Sequence, residues 1–237
     1  MDSKSTLARI AGALYLVLAV CGGFSELYVR SGVRTPGDPA ATARNIAESA
    51  TLLRVGFATD LVNITCFLLT GLALYALLGR VHRVAAVAML ACNAVCVAVM
   101  SVNMLNHAAA VTAATDPGHA AALGAETSRA LSAFFLEMHG YGYAVAQIFF
   151  GLWLLPLGYL VLVSGYFPRW LGVLLMVGCA GYLAGIPFTY VIPGADIWAT
   201  IVTLPAFVAE LSLIGWLLIK GVRSARDAGD PVPVAAP

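Results

Sequence analysis

The sequence has 237 residues, 61% of them hydrophobic and 11% charged. Soluble domains are about 45–50% apolar and about 25% charged, so this chain has too little polar surface for water and needs lipid around its outer faces. A formal net charge of +1 supplies no field for nucleic acid, which is excluded as a partner.

A membrane helix needs about 20 mostly apolar residues. The first such span covers 6–28, with Lys4 and Arg9 ahead of the apolar run from Ile10. No small-residue cleavage site ends it, so it reads as a span and not as a cleaved signal. Arg30, Arg34, Pro36, Gly37 and Pro39 then read as a loop, and 40–49 as a short amphipathic helix along the membrane surface. Further spans are expected over 53–78, 84–111, 131–163, 170–191 and 198–219. Pro156 and Pro187 lie inside two of them, where each removes a backbone hydrogen bond and predicts a kink.

The expected fold is therefore all-α: a polytopic transmembrane bundle of about six spans, in one domain over 1–226, with a disordered cytoplasmic tail over 227–237. Lysine and arginine counts divide eight against five between the two sides, which puts both termini in the cytoplasm of a cell-membrane protein. Cys21, Cys66, Cys92, Cys96 and Cys179 all sit in apolar runs without a CxxC pair, and read as small packing residues. No P-loop and no GxGxxG after a strand is present.

Function is sought among polar residues that lipid penalises, since an ionisable group in the bilayer costs at least about 2.5 kcal/mol. The second span holds Asp60 and Asn63, the third Asn93, Asn103, Asn106 and His107, the fourth Glu137, His139, Tyr141, Tyr143 and Gln147, and the sixth Glu210. Glu26 and Arg54 stand near the outer ends of the first two spans. Rise per residue puts Asp60 and Glu137 at about 9 Å below the outer surface, which suggests a polar cavity in the outer half with Glu210 at its floor.

Spacings of three and four place Asn93, Cys96, Met100, Asn103 and His107 on one stripe. Glu137 and His139 are about 200° apart around their helix, so only one of them faces the centre. Asp60 and Arg54 are about 120° apart and meet only if Arg54 bends. The candidate catalytic residues are Glu210, Glu137, His139, Asp60 and Tyr143. Asn63, Asn103, His107, Glu26 and Arg54 are candidates for substrate binding, although asparagines in spans also serve as interhelical hydrogen-bond donors.

Several segments resemble the bacterial membrane proteins of the domain of unknown function 4386 family. They are Ala8-Arg9-Ile10-Ala11-Gly12-Ala13-Leu14-Tyr15-Leu16, Glu26-Leu27 with Pro36-Gly37-Asp38, His139-Gly140-Tyr141-Gly142-Tyr143 with Phe149-Phe150-Gly151-Leu152, and Leu204-Pro205-Ala206-Phe207 with Glu210-Leu211-Ser212-Leu213. The resemblance implies a multi-pass fold and no particular activity, and it favours His139, Tyr143 and Glu210 as site residues.

Three functions stay open on these residues. One is an acid–base enzyme on a lipid-like or isoprenoid substrate, with Glu210 or Glu137 exchanging the proton and His139 or Asp60 completing the exchange. Another is a proton-coupled transporter. The last is a lipid-binding or assembly protein, for which membrane lipids and further copies of the chain are the expected partners. No metal and no cofactor is expected. His107, His139 and Glu137 carry ligand-type atoms, but no HExxH pair joins them.

Overall fold

The computed structural model describes residues 3–222, and the tail expected over 227–237 lies outside them. Among the described residues the chain is helical throughout. Helix α1 (Ser3–Phe24) runs through a π-helical turn (Ser25–Arg30) into α2 (Ser31–Val33). Helices α3 (Pro39–Glu48), α4 (Ala50–Leu78), α5 (Arg83–Thr115), α6 (Pro117–Leu123), α7 (Ala125–Ser164), α8 (Arg169–Tyr190) and α9 (Asp196–Ile219) follow. Six helical stretches, beginning at Lys4, Ala50, Arg83, Ala125, Arg169 and Ile197, are long and apolar enough to cross a membrane. The chain is a multi-pass helical membrane protein. Its exposed Val102, Leu105, Val173 and Phe207 suit lipid and not water.

Four spans fall within a few residues of their expected bounds, and the fourth span starts six residues earlier than expected, at Ala125. The first is longer: the helix does not stop at residue 28 but continues through the π turn to Val33. Arg30 is therefore a helical residue, 1% exposed, and not part of a loop. Helices α7 and α8 each continue through their proline, Pro156 and Pro187.

Contacts divide the chain into two units. One comprises residues 3–13, 70–92 and 150–222. In it α8 and α9 approach closely through glycines, since a Cβ on Gly178 would stand 2.8 Å from Ala206 Cα. Gly158 and Gly172 do the same for α7 and α8, and Gly12 for α1 against Leu217 of α9. Lys4 Nζ donates to the Tyr166 hydroxyl at 2.8 Å.

The other unit comprises residues 14–69 and 93–149. Its apolar core joins Val29, Val33, Ile46, Leu53, Ala110, Val111 and Leu136. Ile46 brings α3 into this core. The Asp38 carboxylate starts α3 by accepting from the Ala41 N–H at 2.8 Å, and Asn45 donates to the Val33 carbonyl at 3.2 Å. The short helix expected over 40–49 thus forms as α3 and is tied to the end of α2.

Candidate functional site

The buried face of α4 is set by helical spacing: Leu53, Gly56, Asp60, Asn63 and Phe67 all turn inward. The stripe on α5 does the same, with Asn93, Cys96, Met100, Asn103 and His107 each no more than 4% exposed. On α7, His139 is buried and Glu137 is exposed, so the 200° between them resolves in favour of the histidine. Exposed Arg54 reaches Thr115 Oγ1 at 3.3 Å instead of bending to Asp60.

The asparagines hold the helices together. Asn63 Nδ2 donates to the Leu18 carbonyl at 2.8 Å, Asn93 to Phe67 at 3.0 Å and Asn103 to His139 at 2.9 Å. Two glycines make room for them. A Cβ on Gly22 would stand 2.6 Å from Asn63 Nδ2, and one on Gly142 would overlap the Asn103 amide. This accounts for a glycine in the middle of the His139–Tyr143 segment.

Asp60 has a cationic partner that the loop reading concealed. Arg30 Nη1 donates to Asp60 Oδ2 at 2.5 Å and its Nε donates to Glu26 Oε2 at 2.7 Å. Glu26 keeps 42% of its side chain exposed, whereas Arg30 and Asp60 keep 2% and 3%. The sequence signal for Arg30 is its i,i+4 spacing from Glu26. The π-helical turn matters here as well, because such segments recur at functional sites. Two carboxylates against one guanidinium leave the group one formal negative charge.

Beside this network, one side-chain donor atom from each of Asp60, His107 and His139 lies within 4.8 Å of the other two. All three residues are buried. The two imidazoles meet edge to face, with centroids 5.6 Å apart at 83°. His107 Nε2 stands 2.9 Å from the Leu53 carbonyl oxygen. A carbonyl only accepts, so Nε2 carries a hydrogen there and Nδ1 holds the lone pair of the neutral ring. That Nδ1 and His139 Nε2 are buried and make no hydrogen bond. Phe57 flanks His107 with centroids 5.8 Å apart.

Glu210 belongs to the unit built around α8 and α9, where it accepts from the Tyr182 hydroxyl at 2.9 Å. The histidine–aspartate cluster, with Glu26, Arg30, Asn103 and Tyr143, is built entirely from the other unit. The chemistry available to it is that of a base, a carboxylate and a fixed cation in an apolar enclosure.

A family model described as domain of unknown function (DUF4386) matches residues 10–221. An uncharacterised protein of Archaeoglobus fulgidus is 32% identical over 87 residues, which cover 37% of this chain and 51% of that protein. The match thus spans about half the length of this relative. No solved structure matches the chain.

Proposed function

The chain belongs to the domain of unknown function 4386 family, and from that premise we propose a membrane-embedded acid–base enzyme whose reactive groups are Asp60, His107 and His139. Its substrate is lipid-like, and the protein sits in the cell membrane with both termini in the cytoplasm.

The observation that supports this reading is the clustering of Asp60 with two histidines, each of which carries a buried ring nitrogen without a hydrogen bond. Leaving a buried polar atom unsatisfied costs roughly 1–3 kcal/mol. A fold that bears this cost twice at one spot holds those lone pairs for another use. The Leu53 carbonyl fixes the His107 ring through Nε2–H and leaves Nδ1 as the proton acceptor. Arg30 holds Asp60 in place and offers positive charge to an anionic headgroup or transition state. The lipid-like substrate class follows from the helices that carry the site, since α4, α5 and α7 are each long and apolar enough to cross a membrane.

The test compares lipid extracts, by mass spectrometry, from cells lacking the protein, expressing it, and expressing His139→Gln at equal folded yield. A lipid species that changes with the wild type and not with His139→Gln supports the enzyme. Identical extracts in all three contradict it.

A further inference from the structure

We infer that Asp60, His107 and His139 bind one divalent first-row transition-metal ion, an inference that rests on reading these residues as the reactive centre. Three observations carry it. The first is the donor set, two imidazoles and one carboxylate from α4, α5 and α7, each offering an atom within 4.8 Å of the others. Donors around one ion at about 2.1 Å stand about 3–3.5 Å from each other, so small side-chain rotations close the site. Imidazole and carboxylate together suit zinc or iron(II), and three protein ligands leave a coordination position open.

The second observation is the pattern of partners. A metal-bound imidazole typically donates its other N–H to a carbonyl or carboxylate, and its ligating carboxylate is itself hydrogen-bonded. His107 already donates from Nε2 to Leu53, and Asp60 already accepts from Arg30. The atoms without hydrogen bonds, His107 Nδ1 and His139 Nε2, are the ones a metal would take.

The third is charge. Glu26, Arg30 and Asp60 sum to one formal negative charge, and the other cation near the histidines, Arg34, is exposed. Glu26 offsets part of Arg30's charge, and Asp60 adds its own carboxylate to the ligand set of a divalent ion. An open position on the ion would hold water, and a metal lowers the pKa of bound water to about 7, so with the ion bound that water takes over the role of base from His107 Nδ1, whose lone pair the ion occupies.

The experiment uses full-length protein in mild detergent, with a purification tag free of histidine, stripped by chelator and titrated with Zn2+ and with Co2+. The expected result is one ion per chain, with a visible Co2+ absorption band from nitrogen and oxygen ligands. His107→Gln, His139→Gln and Asp60→Asn each weaken binding by more than roughly 100-fold, beyond the range seen for supporting residues. Glu137→Gln and Glu210→Gln leave it unchanged. Circular dichroism and elution volume confirm that each variant is folded, and the Co2+ band reports the site in wild type independently of the variants. Wild type that binds neither ion, or binding that survives the His107→Gln/His139→Gln double variant, overturns the inference. Stoichiometric binding with unaltered lipid extracts upholds the metal and overturns the enzyme. A wild-type lipid change in cells together with purified wild type that binds neither ion does the reverse.

Discussion

Arg30 and Asp60 form an ion pair enclosed by protein, with Nη1 2.5 Å from Oδ2 and side chains only 2% and 3% exposed. Neither charge has water to fall back on. Removing one partner of such a pair costs about 3–5 kcal/mol, because the other stays buried and uncompensated. The two halves are not equivalent here. Arg30→Gln strands Asp60, whereas Asp60→Asn leaves Arg30 with Glu26. Thermal unfolding in detergent is expected to show the larger loss for Arg30→Gln, about 3–5 kcal/mol, and a smaller one for Asp60→Asn. Arg30→Lys falls between them, since an ammonium cannot fork to both carboxylates.

Gly140 and Gly142 lie two residues apart on one helix and make opposite predictions. A Cβ at Gly142 overlaps the Asn103 amide, which must then release the His139 carbonyl. Gly142→Ala is expected to cost about 1–3 kcal/mol and to abolish the wild-type lipid change. A Cβ at Gly140 meets only Arg34 Nη2, at an ordinary 3.6 Å. Gly140→Ala should be close to neutral in both measurements.

In the other unit, a Cβ at Gly181 overlaps the Val202 carbonyl oxygen of α9, and backbone cannot rotate away. Gly215 has nothing within 4 Å of its would-be Cβ. Gly181→Ala is expected to lower the melting temperature of the detergent-solubilised protein, and Gly215→Ala to leave it in place.

Asp116 starts α6 by accepting from the Gly118 N–H at 2.7 Å, and this bond, followed by the neighbouring His119, holds its carboxyl below the ordinary 3.8. A depressed folded value means the contribution is present above 3.8 and is lost as pH falls through the lower folded value. The protection factor over residues 117–123, corrected for intrinsic exchange, is expected to hold on acidification to pH 3.8 and to fall only below it. Asp116→Ala should show lower protection above pH 3.8, with the difference closing as the wild-type carboxylate is protonated.

The six spans were legible because runs of about 20 apolar residues carry their own boundaries. Periodicity also found the α5 stripe from Asn93 to His107, because one helix's spacing fixes which of its residues share a face. It narrowed His139 and Glu137 to one inward residue without deciding which. The Arg30 partnership was hidden by Pro36, Gly37 and Pro39: their loop chemistry is real but begins only after Val33. Which side chains of α1, α4, α5 and α7 meet is set by packing between helices, on which single-helix patterns are silent. The Tyr182 hydroxyl that Glu210 accepts from was hidden for the same reason.

The central claim is that chemistry resides at Asp60, His107 and His139 and not at the other membrane carboxylates. The direct measurement is the lipid extract of cells expressing His107→Gln, Glu137→Gln and Glu210→Gln side by side at matched folded yield. The account predicts that His107→Gln loses the wild-type lipid change while Glu137→Gln and Glu210→Gln retain it. A Glu210→Gln that loses the change while His107→Gln keeps it would contradict the account and move the active centre to α9.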